Sequence, residues 1–239
     1  MFMKKIVRLS LAAGLIATGA VAASAQPLNP KECSHPIRVA CVGDSITYGI
    51  RLRRGLDYPA QLQKLLGTNW DVRNFGVSGR TLLRHGDLPY WREKTFTNAQ
   101  AFQPDAVVIL LGANDSKPHN WKYHAEFAGD YADMVNVFRH LASQPRIFVC
   151  RPTPVPEPGN YGINEATEQQ QINIIDYLAD TMNLDKVDLY APLKDRPQLF
   201  PDRVHPNAEG AVAMAKVVEQ GLTSPGLIGE TPGVHHTVC

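Results

Sequence analysis

Ser45 lies in the stretch Val42-Gly43-Asp44-Ser45-Ile46-Thr47-Tyr48-Gly49, directly after the apolar run Ile37 to Val42. A free serine hydroxyl is a poor nucleophile. To attack an ester carbonyl it needs a base that takes its proton, a group that orients that base, and donors for the oxyanion that forms. Of the eight histidines, His205 alone has an aspartate three residues before it and a proline directly after it. Asp202 can reach the Nδ1–H of His205 within one turn, leaving Nε2 for Ser45. Read alone, Gly-Asp-Ser is also a common turn, and Asp202 with His205 can serve only to cap the last helix. Acyl transfer is the chemistry this set could perform together.

Two further stretches offer oxyanion donors. Asn74-Phe75-Gly76-Val77-Ser78-Gly79 ends on a glycine whose backbone can approach a substrate closely and take positive φ. Gly112-Ala113-Asn114-Asp115 follows an apolar run, so the Asn114 amide is expected to turn its NH₂ into the cleft. The donors expected are then the backbone N–H groups of Ser45 and Gly79 and the Asn114 side chain. Asp44 and Asp115 read as structural acceptors for loop backbone, and Gly76 as a residue that serves backbone geometry. A Gly-x-Ser-x-Gly elbow would indicate a different hydrolase fold, but the second glycine is missing here.

Together with Asp202-Arg203-Val204-His205-Pro206-Asn207, these stretches resemble in order and spacing the SGNH (GDSL) hydrolases, from about Ile37 to Gly221. The resemblance implies a serine esterase with Ser45 as nucleophile, His205 and Asp202 as its partners, and Ser45, Gly79 and Asn114 as the oxyanion hole. No CxxC or Cys/His spacing suggests a metal site, and no cofactor is expected.

Those residues need a scaffold that gathers them at one edge. Short β-branched or continuously apolar runs predict five strands, at Ile37 to Val42, Asp71 to Phe75, Ala106 to Leu111, Arg146 to Cys150 and Val187 to Leu189. Helical periodicity fills the gaps: Tyr58 to Leu66, Tyr90 to Phe102, Ala125 to Ser143, Glu165 to Met182, and a last helix from Pro206 or Asn207 to about Gln220. Ser116 to Lys122 reads as a loop, and Pro152, Pro154, Pro156 and Pro158 as a stiff extended one. Strand–helix alternation predicts an α/β fold, a three-layer α/β/α sandwich around a parallel five-stranded sheet, and the family resemblance implies the flavodoxin-like SGNH hydrolase fold. Ligands of such sheets bind at the carboxyl edge, where Ser45 falls.

Lys4, Lys5 and Arg8, the apolar Leu9 to Ala22 and the small residues Ala23-Ser24-Ala25 read as a secretory leader cleaved after Ala25. Residues 26–222 are expected to form the hydrolase domain and 223–239 a Gly/Pro-rich tail. With 25 of the 239 residues in the leader, 214 remain, enough for one α/β domain. Three of the 24 Lys and Arg lie in the leader. The remaining 21 stand against 23 Asp and Glu, a charge of −2 that makes no electrostatic case for nucleic acid or an anionic membrane. The expected location is periplasmic or extracellular.

Export permits disulfides. Cys41 and Cys150 fall in strand runs and read as buried thiols, whereas Cys33 precedes the first strand and Cys239 ends the chain. Both latter cysteines are expected at the edge opposite the active site. A Cys33–Cys239 disulfide is one reading, and an unpaired terminal thiol is the other.

The substrate reading rests on loop residues. Arg84, His85 and Trp121 are expected to rim a short, polar acyl site, which with export points to acetyl esters of carbohydrate. Arg51, Arg53 and Arg54 read as a solvated loop with an open route to substrate, and Tyr161 as packing or a sugar platform. A thioesterase or lysophospholipase acting on long acyl chains is the alternative, although the loops are not rich in Leu, Ile or Phe. A catalytically silent carbohydrate-binding module is the third reading, opposed by the intact residue set.

Overall fold

The computed structural model describes residues 26–224. Five parallel strands form one sheet in the order β2-β1-β3-β4-β5: β1 Ile37–Gly43, β2 Trp70–Gly76, β3 Ala106–Leu110, β4 Arg146–Arg151 and β5 Asp185–Asp188. The seven α-helices among the described residues are α1 Ser45–Tyr48, α2 Tyr58–Leu66, α3 Lys94–Ala101, α4 Pro118–Trp121, α5 His124–Arg139, α6 Glu165–Met182 and α7 Ala208–Thr223. This is the expected α/β/α architecture with the flavodoxin-like strand order.

Alternation along the central strands divides the core into two. Val39, Cys41, Val108, Phe148 and Cys150 face a layer containing Leu62 of α2 and Met214 and Val218 of α7. Ala40, Val42, Val107, Ile109 and Val149 face the opposite layer, with Phe96 of α3, Tyr131 and Phe138 of α5 and Ile175 of α6. Side chains two apart share a face of a strand, so a run apolar at every position must be covered on both sides. All five residues of β3 are buried accordingly.

Several boundaries differ from expectation. The stretch from Tyr90 to Phe102 is not one helix. Tyr90–Arg92 forms a 3₁₀ turn and α3 begins only at Lys94. The Tyr90 hydroxyl donates to Phe75 O at 2.6 Å and Trp91 Nε1 to Leu82 O at 2.6 Å, and these two bonds fix the turn against neighbouring loops. Within the expected loop Ser116 to Lys122, α4 forms with Pro118 at its start, where a missing N–H does no harm. β5 lies at Asp185–Asp188, earlier than Val187 to Leu189, because edge residues Asp185 and Asp188 pair with Arg146 and Arg151 of β4. The last helix runs through Thr223, one residue past the expected domain boundary. The leader and Cys239 lie outside the described residues, and so does the expected Cys33–Cys239 pairing. Cys41 and Cys150 are buried free thiols. Among the described residues, no helix is long and apolar enough to cross a membrane.

Candidate active site

β1 delivers Ser45 to the carboxyl edge of the sheet, where it opens α1. Asp44 caps that helix, its Oδ1 accepting from Ile46 N at 3.0 Å. β2 delivers the turn that ends at Gly79. A Cβ on Gly76 would lie 2.2 Å from Tyr48 N, so the α1 backbone can approach β2 only over a glycine. Gly79 has φ +81°, and Leu88 Cδ1 at 3.6 Å is the sole atom a Cβ there would meet. Backbone conformation, not crowding, therefore requires glycine at 79. Among the described residues, neither the Ser45 N–H nor the Gly79 N–H has a turn or cap hydrogen-bond partner.

His205 comes from the loop between β5 and α7. Ser45 Oγ lies 2.8 Å from His205 Nε2, and His205 Nδ1 lies 2.8 Å from Asp202 Oδ2. With the proton on Nδ1, the ring donates to Asp202 and Nε2 accepts from the serine hydroxyl. Asp202 Oδ1 accepts from the backbone N–H groups of Val204 at 3.1 Å and His205 at 2.7 Å, which closes the loop around the carboxylate. Burial pushes the Asp202 carboxyl up. The donated hydrogen bonds of His205 and Val204 and the nearby imidazole outweigh it and hold the carboxyl below its ordinary range. This line can draw a proton from Ser45 and stabilise the resulting imidazolium.

Asn114 sits between the Ser45 and Gly79 turns, but its amide is not free. Nδ2 donates to Arg80 O at 3.1 Å and to Asp44 Oδ2 at 3.2 Å. The expected open NH₂ is thus engaged by the buried Asp44 carboxylate and the half-buried Arg80 carbonyl. Asp115 accepts from the backbone N–H groups of Leu82 at 3.0 Å and Leu83 at 2.7 Å. Burial pushes the carboxyls of Asp44 and Asp115 up to about 7, against the hydrogen bonds each accepts. Beneath them, α6 contributes Gln171, whose Nε2 donates to Gly112 O at 2.9 Å, and Glu168. Burial, then the charges of Asp44, Glu165 and Asp115, drive the Glu168 carboxyl well above its ordinary value. Nothing in the helical pattern of α6 distinguished Glu168 from an ordinary solvated residue.

Arg84, His85 and Trp121, expected at the rim of the acyl site, each have partners of their own. Arg84 pairs with Asp133 at 2.8 Å and lies over the Trp91 ring at 4.0 Å. His85 pairs with Glu126 at 2.6 Å, and Trp121 donates to Gln170 at 3.1 Å. Carboxylates on α5 and an amide on α6 thus engage their polar ends. A cavity of about 240 Å³ beside His205 is lined by Arg51, Leu52, Pro201, Asp202, Pro206 and Asn207. Among the described residues, no group of three or more His, Cys, Asp or Glu could hold a metal ion.

Residues 41–213 match the model of the GDSL-like lipase/acylhydrolase family. The chain belongs to that family. This GDSL-family chain is 41% identical over 214 residues to an acetylxylan esterase of Xylanibacter ruminicola. The alignment takes in 81% of the chain but 44% of that relative, so the chain spans under half of the relative's length. Solved structures share the fold at lower identity. A carbohydrate acetylesterase from Sinorhizobium meliloti superposes with a TM-score of 0.63 at 22% identity, over 77% of this chain and 97% of that one. An inhibitor-bound aryl esterase from M. smegmatis gives 0.61 at 20% identity, with the same two coverages.

Proposed function

We propose that the protein is an exported serine esterase that removes acetyl groups from carbohydrate. The observation that carries the reading is the unbroken line Ser45 Oγ, His205 Nε2, His205 Nδ1, Asp202 Oδ2, with 2.8 Å at both hydrogen bonds. Ser45 attacks the acetyl carbonyl while His205 takes its proton. His205 then gives that proton to the leaving sugar oxygen, and the acetyl group stays on Ser45. Water activated by His205 releases acetate and restores the serine. The backbone N–H groups of Ser45 and Gly79 stabilise the oxyanion. Asn114 joins them by sharing an N–H now given to Arg80 O or Asp44.

The acetyl and carbohydrate parts of the reading draw on the acetylxylan esterase relative. The Ser-His-Asp line opposes a silent binding module. The test is hydrolysis of p-nitrophenyl esters from acetate to palmitate, together with acetate release from acetylated xylan. Acetate esters turn over fastest, rates fall steeply beyond butyrate, and xylan releases acetate. Faster turnover of palmitate would move the reading to an enzyme of long acyl chains.

A further inference from the structure

Asp202 is more heavily bonded than the three-residue line requires. Its Oδ1 serves the loop backbone, as described above. Its Oδ2 accepts from His205 Nδ1 and from the Tyr161 hydroxyl at 3.3 Å, and forms an ion pair with Arg51 Nη1 at 2.9 Å. Arg51 Nη2 in turn donates to the Tyr161 hydroxyl at 2.8 Å, so the two side chains lock one another. The Tyr161 ring lies 5.6 Å from the His205 ring, tilted by 52°. The two residues come from different loops, Arg51 from the one after the nucleophile helix and Tyr161 from the one after β4. Asn160 Nδ2 donates to Asp202 O at 3.0 Å and docks the second loop on the acid's own backbone.

Resting on the esterase reading, we propose that Arg51 and Tyr161 are positioning residues that brace the outer oxygen of Asp202 and set the basicity of His205. The reaction makes an imidazolium beside Asp202. A carboxylate that already carries a guanidinium and a phenol hydrogen bond offers that imidazolium less stabilisation than a bare one does. The guanidinium also repels it directly. Both effects oppose the imidazolium, and removing the brace removes them. Arg51 and Tyr161 are the charged and titratable side chains in contact with the Asp202–His205 pair from other loops among the described residues. Asp44, next to the nucleophile, is buried and is left unchanged by any substitution in the brace.

The test is the pH dependence of kcat/KM on p-nitrophenyl acetate, whose acid limb reports the base of the free enzyme. The Arg51 side chain is 62% exposed, so water screens it. A unit charge within about 5 Å under that screening is worth about half to one pH unit. Arg51→Met moves the acid limb upward by that amount. Tyr161→Phe keeps the ring but frees one acceptor position and loosens Arg51, and moves it upward by less. Arg51→Lys restores the charge and returns the limb toward wild type. Thermal melts of the three variants match wild type, since both side chains lie at the surface. An Arg51→Met limb that superimposes on wild type, or moves downward, overturns the brace and leaves the esterase reading intact. Ser45→Ala, run alongside, separates the two: retained turnover there removes the esterase reading itself.

Discussion

Asp115 makes the strongest stability prediction. It is fully buried, and its two oxygens are the acceptors for the backbone N–H groups of Leu82 and Leu83. Those residues lie three and four positions after Gly79, so Asp115 ties the Gly79 turn to the end of β3. Asp115→Ala leaves two buried donors without partners. An unsatisfied buried N–H costs about 1–3 kcal/mol, which puts the loss of two at about 2–6 kcal/mol. For a domain of this size that corresponds to a fall in Tm of roughly 4–24 °C. Asp115→Asn keeps one oxygen and should lose about half as much. The carboxyl also carries a pH signature. Its folded value of about 7 lies above its ordinary 3.8, so the folded state holds the proton more tightly. The stability this adds is fully present below about pH 4 and is lost as pH rises towards 7. Wild type should therefore show a decline in Tm across that window, and Asp115→Ala a shallower one. Thermal melts followed by circular dichroism from pH 4 to 8 measure both effects. An Asp115→Ala protein that melts within 2 °C of wild type at every pH (~0.5 kcal/mol) would refute the claim that these two bonds hold the loop.

Ser45→Ala should abolish turnover of p-nitrophenyl acetate with little change in Tm, because its hydroxyl is needed for covalent chemistry alone. Asn114→Ala should lower kcat by ~10²–10³ with a smaller change in KM, as expected for a lost oxyanion donor. A change confined to KM would assign Asn114 to substrate binding. That variant should also melt below wild type, since Arg80 O and Asp44 Oδ2 lose their donor. Dialysis against EDTA should leave the rate unchanged, and a loss restored by a divalent ion would contradict a serine mechanism.

The strands were legible because an apolar run covered on both faces has few other structures open to it. Ser45, Gly79, Asn114, Asp202 and His205 were legible as a set because their types and order restrict the chemistry. What the sequence hid depends on partners far away along the chain. Arg84 and His85 follow the Gly79 turn and look free to meet a substrate, yet Asp133 and Glu126 on α5 hold them. Arg51 looks like one solvated arginine among three, and only folding brings Tyr161 and Asp202 to it. The motif puts Asn114 just after β3, but its hydrogen-bond partners are acceptors on two other turns. The split of the expected 90–102 helix follows from bonds to Phe75 and Leu82, which no local periodicity encodes.

The helix α7 begins three residues after His205 and ends where Leu222 O accepts from Leu28 N at 3.0 Å. At 1.5 Å per residue its 16 residues carry the chain about 24 Å from the site to the opposite rim of the sheet. Leu28 is buried there, beside the start of β1. The first and last described segments thus meet on the face turned away from Ser45. A tether, an affinity tag or a neighbouring module joined at either point would leave the path of a polymeric substrate open. Immobilisation through that rim would present the cleft outward to an insoluble polysaccharide.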